Sequence, residues 1–129
     1  MQKVAAAVIE KQGRVLIGRR KAGDRFGGLW EFPGGKLEAG EAPRDGLRRE
    51  LREELGIEAS IGPFLGSFPF NSAGLSIELL AFRASIEAGA PALFDHDEIL
   101  WVPLGALADY PLTEPDKLLA AILAGGREA

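Results

Sequence analysis

The sequence predicts a single α/β domain built on a mixed β-sheet covered by helices, and three observations lead there. Short apolar runs recur at residues 4–9, 15–18, 58–70, 75–86 and 99–102, separated by Gly, Pro, Asn and Ser. Two stretches with helical spacing, 43–55 and 115–123, interrupt them. The chain of 129 residues is long enough to bury one core and too short for two, so residues 1–129 are read as one unit. No internal repeat, low-complexity tract or linker divides it, and strands interleaved with helices favour layers of the two over segregated halves.

The first two apolar runs are rich in β-branched residues, and the five residues 10–14 between them hold Gly13, which reads as a hairpin. A cationic stretch, Arg19-Arg20-Lys21, then enters a loop with Gly23, Gly27 and Gly28, followed by Trp30-Glu31-Phe32-Pro33-Gly34-Gly35. Glycine at that density predicts bends and close backbone approach. The first helix should start near Pro43, a residue suited to the first helical position, and stop at Gly56, suited to a left-handed cap. Leu47, Leu51 and Leu55 recur every four residues as its buried stripe. The last helix should run over 115–123 with Leu118, Leu119 and Ile122 inward, and Gly125-Gly126 should end it.

Composition removes several kinds of chemistry. There is no cysteine and one histidine, His96, so disulfides, thiolate metal sites, cysteine nucleophiles and multi-histidine metal sites are all excluded. His96 reads as a surface or hydrogen-bonded loop residue. A formal net charge of −4 argues against a broad basic surface for nucleic acid polymers and leaves room for a local cationic pocket and a small anionic ligand. The apolar run at 4–9 is shorter than a signal-peptide core and far below a membrane span, so a cytoplasmic protein without a membrane role is the expectation.

What remains is hard-metal chemistry. Glu50, Glu53 and Glu54 stand at offsets i, i+3 and i+4 of the first helix, which places them on one surface about a quarter turn from the leucine stripe. Three like charges on neighbouring positions repel, and an oxygen-ligand cation such as Mg²⁺ or Mn²⁺ turns that repulsion into coordination while keeping waters and substrate phosphates as further ligands. RRELREEL could equally be a solvated face in which Arg49 and Glu53 form an ordinary i,i+4 pair.

Context decides between these readings. Gly35, five residues, Glu41, seven residues, then Arg49-Glu50-Leu51-Arg52-Glu53-Glu54-Leu55-Gly56-Ile57 resembles the Nudix box at every defined position, and the preceding Trp30-Glu31-Phe32-Pro33-Gly34-Gly35-Lys36 resembles its MutT-type branch. The resemblance implies a Nudix-type α/β/α sandwich with a mixed β-sheet. It also implies divalent metal, Mg²⁺ with Mn²⁺ as a substitute, on Glu50, Glu53 and Glu54, with the carbonyl of Gly34 as an extra ligand and Arg49 orienting the acids. The family's first helix glutamate, Glu50 here, is its candidate base in some branches, and spacing does not separate base from ligand. Glu41 suits a brace at the helix start as well as a role in the chemistry.

Further residues follow from the same resemblance. Arg20 matches a MutT position implied in ligand contact; Arg19 and Arg20 could also simply end an exposed strand. Asp97 and Glu98 lie in a loop that in this family often adds an acid to the metal or the attacking water, and Glu98 is the preferred candidate, against a solvated loop charge. Phe32, Phe82 and Trp101 suit the core better than a base-stacking platform, and Phe32 alone is retained as a substrate-side candidate. Asp116 resembles the position that reads the nucleobase edge, where MutT has asparagine. Aspartate there removes two amide donors and adds a charge unless protonated.

The function these residues imply is Mg²⁺-dependent hydrolysis of nucleoside triphosphates, oxidised ones such as 8-oxo-dGTP included, to monophosphate and pyrophosphate. Alternatives are hydrolysis of nucleoside diphosphate sugars or other nucleoside diphosphate derivatives, and a non-catalytic domain that binds nucleotide metabolites. The expected partner is a small-molecule nucleotide and not a nucleic acid polymer, with the chain acting as a monomer or homodimer.

Overall fold

The computed structural model describes residues 1–72 and 74–126. The elements in chain order are β1 (Gln2–Lys11), β2 (Arg14–Arg20), β3 (Trp30–Glu31), β4 (Gly34–Lys36), α1 (Pro43–Leu55), β5 (Glu58–Ser72), β6 (Leu75–Ala88), β7 (His96–Pro103), a 3₁₀ segment (Leu104–Asp109) and α2 (Glu114–Gly126). The hairpin turn is narrower than the five residues anticipated. Gln12 and Gly13 alone make it, both with positive φ (54° and 77°), the geometry whose twist matches a two-residue hairpin. The stretch 30–36, read as bends, holds the two short strands β3 and β4. The 3₁₀ segment was not foreseen.

The sheet is mixed. Its order is β3-β2-β1-β6-β5, with β4 also on β1 and β7 also on β2. β1 and β6 are parallel, and the other pairs are antiparallel. β1 carries apolar side chains on both faces, so each face needs its own cover. Ala5, Ala7 and Ile9 share a core with Leu47, Leu51 and Leu55 of α1, whereas Ala6 and Val8 share one with Leu119, Ala120 and Leu123 of α2. The result is the α/β/α layering. Each of the three α1 leucines is fully buried, which contributes about 1.5–3 kcal/mol apiece.

Both ends of α1 are set by backbone chemistry. Pro43 stands in the first turn after Ala42, which offers no side-chain cap, and Gly56 closes the helix at φ 70° with its N–H on Arg52 O at 3.0 Å. The inner face of α2 differs from the one anticipated. Leu119, Ala120 and Leu123 are buried, while Leu118 and Ile122 are exposed and Gly125 lies within the helix. The inward stripe starts at Asp116, whose carboxylate accepts the Phe32 N–H at 2.9 Å, and Leu119, Ala120 and Leu123 follow at i+3, i+4 and i+7. The entry to α2 is stitched to β3 as well: Trp30 N–H donates to Pro111 O at 2.9 Å and Thr113 N–H to Trp30 O at 3.0 Å.

Gly34 holds the tightest backbone approach. Its φ is 148°, and a Cβ built there would collide with the carbonyl oxygen of Ala5 on the neighbouring strand. Gly40 has φ 78° with open space around it. Gly34→Ala should therefore cost more than about 3 kcal/mol and Gly40→Ala only about 1–2 kcal/mol, measured by urea denaturation of each variant beside the parent.

Candidate functional site

α1 presents its acids around one guanidinium. Arg49 Nε donates to Glu41 Oε2 at 2.7 Å, Nη2 to Glu41 Oε1 at 2.9 Å, and Nη1 to Glu50 Oε1 at 3.0 Å and Glu53 Oε2 at 2.9 Å. The two-pronged bond from Arg49, with the Glu38 amide behind it, holds the Glu41 carboxyl down at about 2. Glu41 thus braces the loop against the helix, and its carboxylate also fills the space beside Gly46. Glu53 is the outermost of the three helix acids. Glu50 is half-buried, and burial raises its pKa above the ordinary value, with Glu53 and Asp95 adding to the rise and Arg49 opposing it.

Glu54 is different. It is buried, and Oε1 accepts the Gly34 N–H at 3.1 Å. Burial, followed by the charge of Glu31, pushes its carboxyl well above the usual range; Glu50 and Asp95 push the same way and the Gly34 amide opposes them. Among the described residues no cation lies within ion-pair distance of it.

The opposite wall comes from β2, β3 and the loop between them, with β7 behind it. Arg20 Nη1 donates to Glu31 Oε1 and Nη2 to Asp24 Oδ2, both at 2.8 Å. Burial works against the Arg20 charge, and Glu31 and Asp24 more than offset it. Glu31 Oε2 meets His96 Nε2 at 3.0 Å. One oxygen or nitrogen each from Glu31, Glu54 and His96 come within 4.8 Å of one another. His96 is therefore no surface loop residue: it begins β7 and is only 3% exposed.

Between these walls runs a cavity of about 540 Å³. Gly34, Gly35, Lys36, Glu50 and Glu54 line one end. Phe70, Leu75, Ile77 and Leu79 of the β5–β6 hairpin give it an apolar side, and Thr113 to Asp116 close the other end. Phe26, with Arg20 5.9 Å and Arg25 5.0 Å from its ring centroid, stands at the rim. At the closed end Asp116 is buried, and desolvation together with Glu31 pushes its carboxyl up to about 7, against the Phe32 N–H, the Thr113 side chain and the more distant Arg20.

Of the residues singled out from sequence, Glu50, Glu54, Gly34, Arg20, Phe32 and Asp116 all line this cavity, with Arg49 and Glu53 beside it. Phe32 is also part of the α2-side core, and its N–H is held by Asp116. Arg19 does not line it. Side chains alternate along β2, so Arg19 faces away from Arg20, 3.5 Å from Glu98 and 5.7 Å from the Trp30 ring centroid. Glu98, anticipated as an extra metal ligand, is thereby engaged by Arg19 in β2–β7 register. Asp97 accepts the Ala22 N–H at 3.1 Å. The acid of this loop whose charge acts on Glu50 and Glu54 is Asp95.

Sequence reasoning gave Asp95, Phe26 and the hairpin wall no place in the site and gave Glu31 no assigned role. Glu31 had a usable signal, an acid alternating between the two buried aromatics Trp30 and Phe32. The hairpin wall had none, because its apolar residues are spaced like any others facing a core.

The NUDIX domain family matches residues 1–121. A CTP pyrophosphohydrolase of Escherichia coli is 40% identical over 125 residues, covering 96% of this chain and 93% of that protein. An 8-oxo-dGTP diphosphatase of Haemophilus influenzae is 35% identical over 105 residues, covering 81% and 77%. Among solved structures, a MutT protein from Methanosarcina mazei superimposes with a TM-score of 0.87 at 25% identity, covering 99% of this chain and 96% of that one.

The raised Asp116 carboxyl has a direction in pH. From its ordinary value of 3.8 up to about 7 the folded state keeps a proton that the unfolded chain has released, so stability falls as pH rises through that window. Between pH 5 and pH 8, in chelator, the parent should lose on the order of 2 kcal/mol more than Asp116→Asn, whose amide oxygen can still accept the Phe32 N–H. Denaturant titrations of both proteins at the two pH values measure the difference.

Proposed function

The chain belongs to the NUDIX family and is a Nudix hydrolase, and from that premise we propose that its substrate is a nucleoside triphosphate, cleaved with Mg²⁺ to the monophosphate and pyrophosphate. The observation that carries this reading is the cavity with two unlike ends: carboxylates and a glycine-lined bend at one, an apolar wall and a buried, titratable carboxyl at the other. Phosphates suit the first end and a base the second.

Family members generally use divalent metal, and the donor set here fits a hard one. It consists of carboxylates without thiolate, including a buried Glu54 that no cation among the described residues holds and a Glu50 whose charge burial disfavours. Glu50, Glu53 and Glu54 would hold the ion, with Gly34, whose N–H already meets Glu54, offering its carbonyl beside them. When bound, Mg²⁺ supplies charge compensation on phosphate oxygens and lowers the pKa of attacking water.

The chain's own residues do the placing. Arg49 keeps Glu50 and Glu53 from splaying while Glu41 fixes Arg49. Gly35 leaves room for Glu50: a Cβ there would overlap its carboxylate. Arg20 presents a guanidinium already oriented at two nitrogens, suited to phosphate. Asp95 is the loop acid best placed to assist, in preference to Glu98. At the far end Asp116 favours a base edge carrying a hydrogen-bond donor, a class that includes the cytosine nucleotide in one relative's name and the oxidised guanine nucleotide in the other's.

Assayed with Mg²⁺ against canonical and oxidised nucleoside triphosphates and nucleoside diphosphate sugars, the protein should release pyrophosphate from triphosphates fastest. Failure to cleave any triphosphate would overturn the reading. Glu53→Gln should lower turnover at least about a hundredfold with little change in melting temperature, because Glu53 is an exposed side chain with no core contact.

A further inference from the structure

We propose that His96 is a positioning residue for the nucleotide, acting through Glu31 to set the guanidinium of Arg20. The consequence for substrate rests on the triphosphate reading above; the geometry does not.

Three independent features place His96 where it is. The first is a β-bulge. β2 and β7 pair in regular register from Arg14↔Pro103 to Arg19↔Glu98, and then Arg20 pairs with His96, leaving Asp97 as the extra residue. Without the bulge Asp97 would stand opposite Arg20 and the imidazole would point to the other face of the sheet. The second is Gly18. A Cβ on Gly18 would come within 2.6 Å of His96 Cδ2, so the strand gives up a side chain where the ring lies. The third is the hydrogen bond to Glu31 at 3.0 Å, made by a side chain only 1% exposed.

The chemistry of the ring follows from its partners. Nδ1 has none among the described residues and Nε2 faces a carboxylate oxygen, which puts the hydrogen on Nε2 and makes His96 the donor. Glu31 then uses Oε2 for His96 and Oε1 for Arg20. Arg20 Nε is buried without a hydrogen-bond partner among the described residues, so the guanidinium is held by Nη1 to Glu31 and Nη2 to Asp24. Asp24 is on the exposed loop, and Glu31 is the firmer of the two holds. A Glu31 released by His96 could turn away and take Arg20 with it, from a position that lines the cavity.

The test separates donor from filler. His96→Leu and His96→Phe remove the donor while keeping apolar bulk beneath Gly18, and His96→Gln restores an N–H at the reach of Nε2. In the two apolar variants KM for the triphosphate should rise about five- to tenfold with kcat changed less than twofold, and His96→Gln should stay within about twofold of the parent. Apolar and Gln variants behaving alike, either all normal or all impaired, would mean the ring only fills space. A substrate-free readout runs beside it. In ¹⁵N spectra of the guanidinium groups, Arg20 should give resolved Nη1 and Nη2 signals in the parent and the Gln variant, and averaged signals in His96→Leu or His96→Phe, whichever folds. Averaged signals in the parent, or resolved ones in the apolar variants, would overturn the proposal even if no triphosphate proves to be a substrate.

Discussion

Two guanidinium groups decide which carboxylates of the cavity are neutralised, and the rest of the site depends on that division. Arg49 takes Glu41, Glu50 and Glu53; Arg20 takes Asp24 and Glu31. Glu54 and Asp116 are left with neutral donors, the Gly34 N–H for the first and the Phe32 N–H and Thr113 side chain for the second. They are also the two buried acids whose pKa values rise furthest for want of compensation. Burying a carboxylate without a cation is unfavourable unless it gains a proton or a ligand, so the fold keeps a demand for positive charge at one end and a responsive hydrogen-bonding group at the other.

Glu31 lies between them and raises the pKa of both. It is reached by Arg20 on one oxygen and His96 on the other, and it sits on a two-residue strand tied to the start of α2 through Trp30. The two ends of the cavity therefore share one acidic residue on one short strand. The Glu31 charge acts on both ends, and β3 is the place where the α2-side core and the site meet.

Much of this was legible in the sequence, and the reasons are local. The helix from Pro43 to Gly56 could be read because its cap, its leucine stripe and its acids all have fixed spacing. Glu50 and Glu54 face the cavity for the same reason. What misled were positions set by register between distant strands. The choice of Arg20 over Arg19 needs only alternation, but knowing which face is inward needs the sheet. Glu98 was preferred over Asp97, both placed in a loop before a strand expected at Ile99, whereas β7 begins at His96 and engages Glu98 with Arg19, and Asp95 just before it drew no notice. His96 looked like a lone loop histidine, since neither the bulge nor the gap at Gly18 leaves a mark on sequence spacing. On α2 the stripe was shifted because the Asp116 anchor, and not the leucines, fixes the helix's rotation.

The parallel pairing of β1 with β6 joins residues 2–9 to residues 77–84. During synthesis the amino-terminal strand, the glycine bend and α1 all leave the ribosome well before that partner exists. Until it arrives, β1 has an open edge of unpaired amides and carbonyls, and the leucines of α1 have only part of their floor. The acids of α1 thus gain the apolar wall of their cavity only once Leu75, Ile77 and Leu79 have been made, and a nascent chain stopped short of β6 would carry the full signature sequence without the cavity that gives it meaning.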